Sequence, residues 1–408
     1  MLSEIISKLE KLIEHNNGIL RLKPAWVARD FLPPGRRLGL PEEMYDLGER
    51  GGICERWVGS TTPADNRIKV PNEGLCCLDL EDGQEITLKA AVEIAPALIM
   101  GAEYSRTHTG LGRLPKIFDY AYRLPYHLHQ MAKDARKVGR NSKEEAYYFP
   151  EEVPLGPEPE TYFGVHPYIS LEKRYELLLP PMQEWKDDSI LLHSRAYRLK
   201  AGDGFHVPAG ILHAPGSALT IELQEDSDVF SMMQAKVGGD IIIDKELLYK
   251  DVSDEERKNL AERAILDMID WELNGDPYFY ENRHTPPIVI DSNQQSGSEE
   301  SWIFYNTHKF SGKKLTIRPG GRYVSVDKGV YNILAWRGKG TYGNVEIEGL
   351  NFEKDELLIC HQRAIYPIEV VNTGDRDLII YKFFGPDINP DVPMLTKYPK
   401  SPNACNIL

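Results

Sequence analysis

Two histidines one residue apart, His127-Leu-His129, a glutamate at position 145 and a third histidine inside Val207-Pro-Ala-Gly-Ile-Leu-His213-Ala-Pro-Gly216 constrain this chain more than any other feature. On a β-strand, residues i and i+2 point to the same face, so one strand carrying His127 and His129 aims both imidazoles at one point. Such a pair taken alone also fits a polar stripe on an exposed strand. The surroundings of His213 favour the inward reading: Gly202-Asp-Gly-Phe205 leads into a proline and glycine turn, and the apolar run Leu219-Thr-Ile-Glu-Leu223 comes after it. A strand, a turn, a histidine and a second strand is how the rim of a small barrel aims a side chain inward. With Glu145 added, the set offers nitrogen and oxygen donors suited to zinc, with manganese or iron as alternatives. The expectation is one divalent ion held by His127, His129, Glu145 and His213.

The 408 residues suffice for two domains, and 41% apolar content supports real cores. Twenty-eight prolines, 33 glycines and 21 tyrosines point to a turn-rich, mainly β chain. A formal charge of −14 opposes binding to nucleic acid or to an anionic membrane, while leaving room for a small anion held by local cations. The five cysteines show no C-x-x-C spacing and read as reduced thiols. The first residues carry Leu2, Ile5, Ile6, Leu9, Leu12 and Ile13 on one helical face ended by Asn17-Gly18. Acidic residues interrupt that face, which is unlike a signal peptide, and the run 95–101 is too short to span a bilayer. A soluble, cytoplasmic protein is expected, and nothing in the pattern sets an oligomeric state.

Along the chain, Leu88–Ile94 reads as a helix stopped by Pro96, and Cys54–Val58 as a strand. Residues 114–223 alternate short β-type runs, among them 147–149, 189–192 and 196–199. Ser253-Asp-Glu-Glu256 is a capping box, with Leu260, Ala264, Met268 and Trp271 behind it at helical spacing to Asn274-Gly275. The polar stretch 291–300 reads as a linker or mobile loop. Beyond it, 315–317, 331–335, 344–347, 357–359 and 378–381 look like strands of a second barrel that lacks the histidine pair. The chain thus reads as three divisions: 1–245, a helix plus a metal-binding domain; 246–299, a helical connection and polar linker; and 300–408, a degenerate second domain with a C-terminal tail.

These segments resemble the cupins and, within them, the type I mannose-6-phosphate isomerases. The general match is the histidine pair, the later glutamate and the Pro-x-Gly-x-x-His turn. The longer match includes Leu22-Lys-Pro24 with Gly35-Arg-Arg-Leu-Gly39, Cys54-Glu-Arg-Trp-Val-Gly-Ser60, Lys116-Ile-Phe-Asp119, Leu124-Pro-Tyr-His-Leu-His129, Lys143-Glu-Glu145, the 207–214 turn, and Glu222 with Ser227-Asp228. The resemblance covers roughly residues 18–235 and, more faintly, 300–385. It implies two cupin-type β-barrels (double-stranded β-helices) with accessory helices, and a single zinc ion on His127, His129, Glu145 and His213. Where the family has glutamine, this chain has His127.

The activity that the resemblance implies is that of an aldose–ketose isomerase acting on a small sugar or sugar phosphate. Such chemistry needs a group that moves a proton between adjacent carbons, and Glu222 and Lys143 are the candidates. The bland alternatives are a glutamate that steadies a ligand and an ion-pairing lysine. His206 reads as structural. Lys116 is the candidate substrate-binding cation. Pro125 and Met232 stand where the family has a serine and an arginine that handle phosphate, so the sugar is either unphosphorylated or held by another cation, such as Arg113 or Arg123. A non-catalytic sugar-binding cupin and a cupin dioxygenase share the same donor set. The fifteen residues between His129 and Glu145 argue against the dioxygenase, whose glutamate comes soon after its histidines.

Overall fold

The computed structural model describes residues 2–80, 83–169 and 173–398, so the expected C-terminal tail past residue 398, with Cys405, lies outside the described residues. The protein is mainly β, and its strand pairs are antiparallel. Among the described residues the sheets are open, with no strand ladder closing on itself. The chain divides into two compact units of three segments each. The first comprises Met1–Val27, Glu55–Ile117 and Pro286–Met394; the second comprises Ala28–Cys54, Phe118–Thr285 and Leu395–Leu408.

The first unit contains a seven-stranded sheet in the order Ile19–Arg21, Glu356–Ile359, Tyr331–Arg337, Leu378–Phe384, Ser311–Ile317, Ser298–Phe304, Ile288–Asn293. A four-stranded sheet is ordered Arg322–Ser325, Ile368–Asn372, Lys339–Tyr342, Val345–Glu348. The strands expected from the sequence beyond residue 300 fall within these elements, except that Asn344 lies in the turn before Val345–Glu348. Their β-branched and aromatic side chains form one core with Leu9, Trp57 and Leu88. Each such fully buried side chain contributes roughly 1.5–3 kcal/mol. The helix Leu2–His15 buries Leu9 and packs Ile5, Leu12 and Ile13 on that core. It ends where Asn17 and Gly18 turn left-handed, at φ 49° and 72°.

The second unit contains a five-stranded sheet in the order Ser194–Arg198, Glu160–Val165, His213–Ala214, His127–Leu128, Ser231–Met232. A second row runs Gly204–Val207, Glu145–Tyr148, Thr220–Gln224. An aromatic cluster fills the interior: Phe163 lies 5.0 Å from Phe205 and stacks on Phe279 at 5.1 Å. A further cluster places the short helices after residue 253 against Tyr126, Leu128 and Leu212.

Three local expectations are corrected. The polar stretch 291–300 is a hairpin, not a linker: Ile288–Asn293 pairs with Ser298–Phe304, and the Asn293 side chain accepts from the amides of Gln295 and Ser296 to close the turn. The run 189–192 is a 3-10 turn, because Asp187 Oδ1 accepts from both the amide and the hydroxyl of Ser189. The helical pattern after the capping box is three pieces, Asp254–Leu260, Glu262–Asp267 and Trp271–Asn274, broken first where Ala261 takes φ 48°. Ser253 does cap the first piece through the Glu256 amide, at 3.3 Å. Among the described residues no helix is long and apolar enough to cross a membrane, and Cys54, Cys76, Cys77 and Cys360 form no disulfide.

Candidate metal centre

The centre is built by strand register. His213 and Met232 are the direct cross-strand partners of His127 on either side, so all three side chains share one face of the five-stranded sheet. His129 comes immediately after the strand His127–Leu128, and Glu145 opens the strand Glu145–Tyr148. One donor atom from each of His127, His129, Glu145 and His213 lies within 4.8 Å of every other, and all four residues are buried. The imidazole centroids are 4.0–4.9 Å apart.

Backbone carbonyls fix which nitrogen of each imidazole faces inward. The Nδ1 atoms of His127, His129 and His213 lie 2.6, 2.7 and 2.8 Å from the carbonyl oxygens of Pro125, Val229 and Ile211. A carbonyl only accepts, so each Nδ1 carries the hydrogen and each Nε2 presents a lone pair to the centre. The Nε2 atoms of His129 and His213 stand 2.9 Å from the two Glu145 oxygens. Glu145 Oε2 also meets the Lys143 ammonium at 2.9 Å. Three imidazole nitrogens and a carboxylate converging on one point form a donor set that fits a divalent cation.

Protonation is set by burial and neighbours. Burial, then the approach of His213 and His129, holds His127 well below the usual imidazole range. Burial and the nearby Lys143 ammonium bring His129 down to about 3. Burial alone would raise Glu145, but Lys143, His129 and His213 outweigh it and hold the carboxyl well below its usual range. His127 and His129 are therefore neutral and Glu145 ionised at neutral pH, the states a metal ligand needs. Tyr147, two residues along the same strand and on the same face, donates its hydroxyl to Glu145 Oε1.

Asn274, read from the sequence only as a helix stop, clamps the turn that delivers His213. It is fully buried; its amide donates to the Gly210 and Asp270 carbonyls at 2.7 Å each, and its oxygen accepts from the Leu212 amide at 2.8 Å. Gly210 takes φ +86°, and its amide donates to the His129 carbonyl at 2.8 Å, tying the turn to the histidine strand. No sequence signal marks Asn274 for this task, whereas the two-residue period from Glu145 points to Tyr147.

The remaining candidates divide. Glu222 is the register partner of Tyr147 and so shares the face of Glu145; Lys143 Nζ lies 2.9 Å from Glu145 and 3.5 Å from Glu222. His206 pairs with Ala146, on the opposite face, where Glu144 and Arg283 hold its ring. Lys116 belongs to the first unit, 3.7 Å from Glu55 and over the Trp57 ring. Arg113 is buried against the Phe383 carbonyl, and Arg123 is paired with Glu158. Arg29 and Asp228 form a buried pair at 3.1 Å.

No protein-family model matches the sequence. No curated protein matches it either. Solved structures do match in fold. The mannose 6-phosphate isomerase of Bacillus subtilis superposes with a TM-score of 0.60 at 15% identity, over 89% of this chain and 99% of that one. A variant phosphomannose isomerase from Salmonella typhimurium gives 0.55 at 11%, over 90% and 100%. A zinc-bound mannose 6-phosphate isomerase gives 0.55 at 11%, also over 90% and 100%. The chain therefore has the fold of these isomerases.

The centre makes two outcomes testable. Asn274→Ala leaves buried partners of the turn unsatisfied, each costing about 1–3 kcal/mol, and is expected to lower both the thermal midpoint and the zinc affinity measured by chelator competition. For the metal-free protein, the depressed histidines set a pH dependence. Unfolded histidines protonate below about pH 6.5 while His129 stays neutral down to about 3, so stability is present above pH 6.5 and lost as pH falls towards 3. Urea unfolding at pH 7 and pH 5 should show the loss, and His129→Asn should reduce it.

Proposed function

We propose that this protein is a metal-dependent aldose–ketose isomerase of the mannose 6-phosphate isomerase kind, built on cupin-type domains, with zinc as its ion. The observation that carries the reading is the common face of Glu145, Tyr147 and Glu222, with Lys143 joining the two glutamates beside the converging histidines. A divalent ion bound by His127, His129, Glu145 and His213 supplies Lewis-acid polarisation of a sugar oxygen. The fold of the solved isomerases supports the reading.

The two proton-transfer candidates have different roles. Burial would lower Lys143, but Glu145 and Glu222 outweigh it and raise its ammonium above the usual range. A lysine held charged in this way cannot accept a proton at neutral pH; it steadies the charge of both glutamates and of an electron-rich substrate oxygen. Glu222 is then the base. It takes the proton from C2 of the open-chain aldose; the C2–H electrons form the C1=C2 bond as the C1=O π pair moves onto O1, which takes up a proton to give the enediol. O2 then loses its proton and becomes the carbonyl oxygen as the C1=C2 pair takes the carboxyl's proton at C1, giving the ketose.

A second reading concerns the substrate alone. Met232 lies beside His127 in register and is buried, and the Pro125 carbonyl is taken by the His127 ring. Neither side chain can donate a hydrogen bond to a phosphate, which favours an unphosphorylated sugar over a sugar phosphate.

Incubating the zinc-loaded protein with mannose, fructose and their 6-phosphates in deuterated buffer should place deuterium at C2 of the aldose. Glu222→Gln should slow that exchange by about 10²–10⁴-fold with zinc content unchanged. No exchange with any of the four, with zinc bound, would leave a sugar-binding protein instead. For the substrate, the free sugar should have the higher kcat/KM, and Met232→Arg should shift the ratio towards the phosphate by about 10–100-fold. A wild-type preference for the phosphate removes the second reading.

A further inference from the structure

The first unit holds a buried charge cluster that the isomerase reading does not use. Lys313 and Lys382 are direct register partners on neighbouring strands of the seven-stranded sheet, an arrangement that is repulsive unless compensated. Compensation is complete. Lys382 Nζ donates to Glu300 Oε1 at 2.6 Å, to Ser325 Oγ at 2.7 Å and to Asp327 Oδ2 at 3.0 Å, so all three ammonium hydrogens meet oxygens. Lys313 Nζ donates to Asp327 Oδ1 at 2.7 Å and lies 3.5 Å from Glu300 Oε2.

The oxygens are themselves held. Ser325 accepts from Tyr342 at 3.1 Å while donating to Asp327 at 3.0 Å, and Tyr323 donates to Glu300 at 3.2 Å. Lys382, Ser325, Glu300 and Asp327 are all buried. Glu300 and both lysines belong to the seven-stranded sheet, and Ser325 ends a strand of the four-stranded sheet. The Lys382 ammonium thus ties the two sheets of this unit together. Burial would raise Asp327 and lower Lys382, yet their mutual attraction prevails and holds the carboxyl below and the ammonium above their usual ranges.

We infer that Glu300, Ser325 and Asp327 form a cation-binding cradle filled by the chain's own ammonium, Lys382, and that a primary alkylammonium ion is the class of ligand it takes when that side chain is cut back. Lys382→Ala in the full-length, zinc-loaded protein removes three carbons and the nitrogen, the size of propylammonium. Its thermal midpoint should fall on the order of 10 °C, since one partner of a buried ion cluster is lost. Propylammonium should recover part of that fall in a saturable way while leaving the wild type unmoved, and 1-propanol, with the same number of heavy atoms and no charge, should not. A midpoint within about 2 °C of wild type, or equal recovery by the alcohol, overturns the inference. If Lys382→Ala does not fold, the double variant E300Q/K382M carries the test, because removing one carboxylate together with the ammonium restores charge balance. Recovery of folded protein relative to Lys382→Met supports the cradle, and no recovery overturns it.

Discussion

The metal centre depends on one fully buried carboxylate. An ionised Glu145 in the interior is costly unless charge and hydrogen bonds surround it, and its neighbourhood is organised to that end. Lys143 supplies a cation at 2.9 Å, Tyr147 supplies a hydroxyl donor, and two imidazoles approach with lone pairs, not hydrogens. Lys143 leads the groups that hold the carboxylate ionised, with His129 and His213 after it. The imidazole hydrogens are all drawn outward to carbonyls, so a cation among the four would meet the inward nitrogens. The same surroundings keep Lys143 charged, so the proposed isomerisation gives the proton transfer to Glu222, 3.5 Å from that ammonium.

The ligand set was legible in the sequence because two simple periods encode it: the two-residue repeat of His127 and His129, and the proline and glycine turn that reverses the chain before His213. Sequence spacing also carried the helix Leu2–His15 and the strands of the first unit beyond residue 300, whose apolar runs are bounded by turn residues. What stayed hidden has a common cause. Asn274 acts through contacts 62 and 64 residues away in the chain, and the carbonyl of Val229 reaches His129 across 100 residues. Such pairings arise from how strands are ordered in the sheet, which local composition does not specify. The misread hairpin at 288–304 is the reverse case: its polar residues look like a linker, but their side chains close a turn between two strands that pair in register.

The departures at Pro125 and Met232 gain meaning from position. In sequence they are two substitutions against a resemblance; in the structure both sit against His127, one lending it a carbonyl and the other lying beside it in the sheet. A side chain in Met232's place is therefore adjacent to a candidate metal ligand, where a change in charge would act on a substrate held there. The thioether offers packing without a donor, and a neutral hydroxyl-bearing chain meets it at lower cost than a dianion would.

The two units meet the problem of an ionised interior in different ways. In the second, a carboxylate and three imidazoles would take a cation from solution, which would link stability there to metal concentration and to the pH that frees the ligands. In the first, Glu300 and Asp327 are answered by Lys382 and Lys313, cations fixed to the strands themselves. A tethered ammonium cannot be chelated or exchanged, and its three hydrogens match three oxygens at fixed positions, where a metal would need lone pairs from imidazole. It therefore gives permanence at the expense of reactivity, since an ammonium saturated by its partners has no position left for a substrate oxygen. An ion on the four residues of the second unit would be exchangeable, and the proposed chemistry is assigned to that unit for this reason.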